Sequence, residues 1–291
     1  MKPVLQTAAL FAVLVTFDVG RYFFLPDVGL LRKKYPETTA FMHYRQSQWE
    51  REGRKKKVQV HPVPLTRISP YLSSAVLIAE DDKFWEHNGF DFEAMKHALE
   101  RNIREKQFVS GASTVTQQLA RNLYLSPSKN PVRKLKEAIL AWRIERELSK
   151  KRILEIYLNV IEWGDGIFGI EAAARHYFAR SARVLTAREA CRLAAVLPNP
   201  LRYSPKGSSR FIERRAERIC RIMRQRKVLG FDPARPEGSR FPWPFHELMT
   251  ISFMQSGHLP LLSKRIVLYS RRRITVFPQP GQRVSWCEPD T

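Results

Sequence analysis

Ala75-Val76-Leu77-Ile78-Ala79-Glu80-Asp81-Asp82-Lys83-Phe84-Trp85-Glu86-His87-Asn88-Gly89-Phe90-Asp91 runs an apolar segment directly into acids, an aromatic pair, a histidine and a glycine. Acids that follow an apolar segment this closely can sit at the edge of a core, where partial burial raises a carboxyl pKa toward that of a working acid or base. Taken alone, the cluster equally describes an ordinary helix end with solvated acids and packed aromatics. Upstream, Ile68–Ala79 reads as a helix entering the cluster. Downstream, Phe92, Met95, Ala98, Leu99 and Ile103 keep helical spacing over Asp91–Gln107, with Asp91 placed as its N-cap.

Further outward the helical pattern continues. Ser110-Gly111-Ala112-Ser113-Thr114 opens a helix with small and hydroxyl residues, a start that can present backbone N–H groups to a phosphate. Gln117 and Gln118 add neutral donors there, and Arg121 lies one turn on. A Ser/Pro/Asn loop over Tyr124–Pro131 precedes a helix over Val132–Leu148, in which Arg133, Lys134 and Lys136 crowd Glu137. Such surroundings keep a carboxylate ionised, although Lys134 and Glu137 also fit a routine i,i+3 pair. Helical segments follow at Ile153–Asn159, Ile170–Phe178, Thr186–Leu197 and Phe211–Leu229, the last strongly basic.

Composition bounds the rest. The 291 residues are 44% hydrophobic, which is enough for a real core and excludes a disordered chain. A net charge of +22 calls for a polyanionic partner: nucleic acid, an anionic membrane surface or a phosphate-bearing substrate. Cys191, Cys220 and Cys287 make neither a CxxC metal pattern nor a disulfide framework, and Cys191 reads as a small core residue.

The N-terminus, residues 1–27, is expected to be an uncleaved membrane anchor. Its apolar run, Pro3–Phe17, is too short to span a bilayer, and reaching the needed length takes in Tyr22-Phe23-Phe24-Leu25 together with Asp18 and Arg21. Residues 28–59 read as a basic connector, in which Arg51, Arg54, Lys55, Lys56 and Lys57 form a patch suited to anionic lipid. Beyond the domain at 60–230, residues 231–291 form a basic, Pro-rich tail with short strands at Arg265–Tyr269 and Ile274–Phe277.

Four motifs in this order resemble the peptidoglycan glycosyltransferases of the lysozyme-like family: Glu80-Asp81-x-x-Phe84-x-x-His87-x-Gly89-x-Asp91, Gly111-x-Ser113-Thr114-x-x-Gln117-Gln118-x-x-Arg121-Asn122, Arg133-Lys134-x-x-Glu137, and Ile153-Leu154-Glu155-x-Tyr157-Leu158-Asn159. The resemblance covers roughly residues 60–230. It implies a mainly α fold with a large helical lobe and a smaller membrane-proximal lobe, preceded by one transmembrane helix. It also implies polymerisation of lipid II into β-1,4-linked glycan, with inversion at C1 and release of undecaprenyl pyrophosphate. By position, Glu80 resembles the family's general base and Glu137 its second acid. Asp81, Phe84, His87, Ser113, Thr114, Gln117, Gln118, Arg121, Asn122, Lys129, Arg133, Lys134, Tyr157 and Asn159 resemble its substrate-binding set.

The resemblance further implies a bacterial inner-membrane enzyme with its domain on the periplasmic side, meeting lipid II, the growing strand, the membrane and other cell-wall synthesis proteins, and no nucleic acid. No cofactor or dedicated metal site is expected, with Mg or Mn able to assist at the pyrophosphate. Arg121 stands where the family often has lysine. Ser126-Pro127-Ser128-Lys129 is formally an SxxK, but without the partner motifs of a transpeptidase it points to a monofunctional enzyme. The competing readings are a lysozyme-like hydrolase, a basic nucleic-acid-binding protein built on Phe211–Leu229, and a metal enzyme using His87, Asp91 and His97.

Overall fold

The computed structural model describes residues 2–58, 60–106, 111–128, 130–228, 267–270 and 273–276. Helices dominate: α1 (Lys2–Gly20), α2 (Ala40–Arg51), α3 (Pro70–Glu80), α4 (Phe92–Arg104), α5 (Val115–Tyr124), α6 (Pro131–Glu147), α7 (Lys150–Val160), α8 (Ile170–Phe178), α9 (Ala187–Val196) and α10 (Arg210–Gln225). A two-stranded antiparallel ribbon, β1 (Glu162–Gly164) with β2 (Ile167–Phe168), links α7 to α8. A compact unit covers Met1–Arg235 and a second covers Pro236–Thr291. The second contains an antiparallel hairpin, β3 (Val267–Ser270) with β4 (Arg273–Val276), within the tail where the sequence suggests strands.

The helix starts follow capping chemistry. Thr114 accepts the Gln117 N–H while the Gln117 side chain accepts the Thr114 N–H, and Thr186 with Glu189 repeats this reciprocal box at α9. Asp91, Asn130 and Ser149 cap α4, α6 and α7 through their side-chain oxygens. In the larger unit, α9 packs on α3 and α10 while α5 packs on α6 and α7. Leu119, Leu140, Ile144 and Ile153 are wholly buried.

Three expectations change. Residues 28–59 are not a plain connector, because α2 forms there behind the Thr39 N-cap and buries Met42 and Trp49. Arg45 of α2 is buried against Glu162 at 3.1 Å and Asp165 at 2.6 Å, and Arg54 and Lys56 also hold Asp165. These two cations of the basic patch thus have a protein partner as well as any lipid. Burial alone would raise the Asp165 carboxyl, but hydrogen bonds from Lys56 and Arg54 outweigh it and hold that group well below the usual range.

The N-terminal helix ends at Gly20, and the chain turns through a 3-10 segment over Arg21–Phe23. The extension through Leu25 that a bilayer span requires therefore does not continue the α-helix. Among the described residues, no helix is long and apolar enough to cross a membrane. Asp18 pairs with Arg21 at 3.1 Å and with Lys136, and Arg143 donates to the carbonyls of Tyr22 and Phe24, tying this segment to α6.

Finally, Cys191 of α9 and Cys220 of α10 form a disulfide with Cα atoms 5.8 Å apart. The two cysteines are 29 residues apart on facing helices, a pairing that short-range spacing rules do not register.

Glu162 carries a carboxyl raised by burial, which the Gly166 N–H and Arg45 partly offset. Removing one partner of a buried pair strands the other charge. Arg45→Ala should lower stability in urea unfolding by about 3 kcal/mol, and a loss below about 1 kcal/mol would contradict a structural role for the pair.

Candidate active site

The last residue of α3 is Glu80, and the next, Asp81, closes the turn that fixes it. One Asp81 oxygen accepts the Val115 N–H at the start of α5, at 2.8 Å, and the other accepts from His87 Nε2 at 2.8 Å. The Gly89 N–H donates to His87 Nδ1, which places the ring proton on Nε2. Gly89 has φ +89°, a conformation that side chains disfavour, and its carbonyl accepts from the Thr114 hydroxyl at 2.7 Å. Phe84 is wholly buried beneath this loop, with the Lys150 ammonium 4.5 Å from its ring centre. The acidic loop is thereby fastened across the N-terminus of α5.

Fastened in this way, Glu80 meets α5 and α10. Its Oε2 accepts from Gln118 at 3.0 Å, and its Oε1 accepts from Arg215 at 3.1 Å. Gln118 is itself oriented by the Tyr157 hydroxyl, which donates to its carbonyl oxygen at 2.9 Å. Burial is the largest influence on Glu80 and raises its carboxyl pKa, against the opposing pull of Gln118, Arg215 and Arg121. Burial also pushes the Tyr157 phenol well up, with the Glu80 charge adding to the effect. A carboxylate with a raised pKa and one edge fixed by donors is suited to taking a proton.

The second acid has a different setting. Glu137 is buried, and its two oxygens are held by Arg133 and Lys134 from its own helix. Lys134 also donates to the Ser113 hydroxyl at 3.0 Å, while Gln118 lies 3.5 Å from the Ser113 carbonyl. A continuous path therefore joins Glu80, Gln118, Ser113, Lys134 and Glu137. The Arg121 side chain forms no hydrogen bond or ion pair among the described residues, its buried Nε included, although its charge acts on Glu80. Such a cation beside a largely but not wholly buried acid is available to an anionic ligand.

Residues 47–224 match the transglycosylase family model. The chain belongs to the transglycosylase family. It is 46% identical over 193 residues to the biosynthetic peptidoglycan transglycosylase of Methylobacillus flagellatus, covering 66% of this chain and 84% of that one. Its identity to the protein of the same description from Aromatoleum aromaticum is 52% over 168 residues, covering 58% and 73%. With that of Laribacter hongkongensis it shares 44% over 212 residues, covering 73% and 93%.

Within the transglycosylase, several motif residues serve the fold. Asp81, Phe84, His87, Thr114 and Gln117 build the loop and cap just described. Asn122 donates to the Gln118 carbonyl, and Asn159 bonds both backbone groups of Val63. The N–H groups of Thr114, Val115 and Gln117 are taken by Gln117, Asp81 and Thr114, so those amides of the α5 start are not open to a phosphate. Lys129 lies outside the described residues.

The metal reading finds its residues apart: His87 on Asp81, Asp91 capping α4, and His97 beside Glu100 at 3.6 Å. Among the described residues, no group of three or more His, Cys, Asp or Glu side chains could hold a metal ion. Sequence reasoning missed Arg215, which lies on the helix over Phe211–Leu229 that it registered only as strongly basic. Its distance from the motifs along the chain hid it.

Because folding raises the Glu80 pKa, ionising this group opposes folding. The stabilisation is complete below the unfolded pKa and is lost as pH rises through the folded one. Glu80→Gln should therefore gain thermal stability relative to the parent chain as pH rises above the ordinary carboxyl range. A stability difference independent of pH in melting curves would refute the raised pKa.

Proposed function

We infer that this transglycosylase polymerises lipid II into peptidoglycan glycan with Glu80 as the general base. The observation that carries the reading is a desolvated carboxylate with a raised pKa, held by Gln118 and Arg215 and joined through Ser113 to a cation pair on Glu137. The 4-hydroxyl of the acceptor sugar attacks C1 of the donor and loses its proton to the Glu80 carboxylate. The C1–O bond to the pyrophosphate breaks as the new bond forms, so an α-linked donor becomes a β-linked product. An attacking hydroxyl here takes the place that water has in inverting hydrolysis.

Negative charge grows on the departing pyrophosphate and requires cations. Arg121, which has no partner among the described residues, is the first candidate, with Lys134 and Arg133 beside it. Glu137 then acts by orientation: it holds two cations in place from a buried position. The names of the relatives favour synthesis over hydrolysis.

The substrate is lipid-linked, and the surface suits a membrane-bound enzyme. Helix α4 buries none of its residues and exposes Phe92, Leu99 and Ile103 by 73%, 61% and 67%. Leu10, Phe11, Val13, Leu14 and Phe17 of α1 are also exposed. An amphipathic helix such as α4 suits the headgroup region, supported by basic residues, whereas α1 is apolar around its circumference. We assign α1 as the membrane attachment, with α4 resting on the same bilayer. The Cys191–Cys220 bond fits an oxidising compartment such as the periplasm.

Glu80→Gln should abolish the glycan ladder formed from purified lipid II while the helical signal in circular dichroism is kept. Substantial residual polymer would remove Glu80 from the role of base. The paired change Leu99→Glu and Ile103→Glu should weaken sedimentation with phosphatidylglycerol vesicles. Unchanged binding would exclude α4 from the contact.

A further inference from the structure

We propose that Arg215 is a positioning residue for Glu80, and that the Cys191–Cys220 disulfide keeps the helix bearing it in register. The proposal rests on the reading of Glu80 as the base. Arg215 Nη2 donates to two oxygens, Glu80 Oε1 and the Ala79 carbonyl, each at 3.1 Å. It thus fixes the carboxylate relative to the last turn of α3. Gln118 secures the opposite oxygen, so the carboxylate is gripped from two helices. The groups acting on Glu80 are Arg215 from α10, Gln118 and Arg121 from α5, and Tyr157 from α7. Arg215 is the first of the two cations in influence, and it favours the ionised form that a base needs.

The grip depends on where α10 lies. α10 packs on α9 and α3, and α9 packs on α3, so the three helices form one cluster. Cys220 follows Arg215 by about one and a half helical turns, and its bond to Cys191 pins α10 to α9 near the arginine. Cys191, Leu193 and Ala194 of α9 are wholly buried, so α9 is a fixed base for that pin. The Arg226–Asp82 pair, with contacts at 2.5 and 2.7 Å, ties the far end of α10 to the acidic loop, but both side chains are about half exposed. Solvent weakens such a pair. Dithiothreitol would convert the disulfide to two thiols, itself closing to a cyclic disulfide, and would leave α10 held by packing and this exposed pair.

The test is the pH dependence of lipid II polymerisation by the full chain. Arg215→Gln keeps an amide donor for the Ala79 carbonyl but removes the charge. It should lower kcat roughly tenfold or more with KM within about twofold, as expected when a base is mispositioned. Its acid limb should move to higher pH, because a cation favouring the carboxylate is gone. Arg215→Lys should restore most of the rate and return the limb toward the parent position. A parent-like acid limb in Arg215→Gln would reduce Arg215 to a cap on α3 and overturn the proposal. Dithiothreitol should move the limb of the parent chain in the same direction and leave that of Arg215→Gln in place; an unmoved parent limb would overturn the role of the disulfide. An active Glu80→Gln control would instead bring down the base reading itself.

Discussion

The Asp81 carboxylate is the joint on which the site depends. It accepts the Val115 N–H from the start of α5 and the Nε2 proton of His87 within the loop. A buried carboxylate without such donors would cost several kcal/mol, so the loop has few ways to close other than this one. Closing it brings Gly89 under Thr114 and sets the end of α3 beside Gln118. Several residues that define the first two motifs therefore act through geometry. They carry Glu80 to its place and hold it there.

Two acids of the same type then acquire opposite settings. Glu80 lies at a helix C-terminus, where the helix dipole and burial both oppose its charge, and it is steadied by an amide and a shared guanidinium. Glu137 is gripped on both oxygens by cations from its own helix. A pair of carboxyl groups set apart by environment is the usual way in which one site gains distinct roles. The first setting suits a group that exchanges a proton, and the second a carboxylate that keeps two cations in place.

Much of this was legible in the sequence wherever the determinants are local. Helices α3 and α5 to α9 lie close to their expected spans because apolar spacing and caps act within a turn or two. Motif order singled out Glu80, Glu137 and Gln118, which the fold brings onto one path of contacts. What stayed hidden depends on contacts across the chain. Arg215 reaches Glu80 over 135 positions, Arg45 reaches Glu162 over 117, and Cys191 meets Cys220 across two helices. Helix α2 was also missed, since its basic composition masks a Thr39 cap and a buried Trp49.

The strong positive charge shows the same division. As a bulk number, +22 admits nucleic acid as readily as a phosphorylated lipid. Placement narrows that choice. Arg45, Arg54, Lys56, Arg133, Arg215 and Arg226 each face a carboxylate of the protein, so a share of the charge is internal structure. Arg121 faces none among the described residues, yet its field falls on Glu80. A nucleic-acid surface would need cations presented in a stripe with accessible aromatics. A cation without a carboxylate partner, set beside the Glu80 carboxyl, instead suits a single anion held at one place.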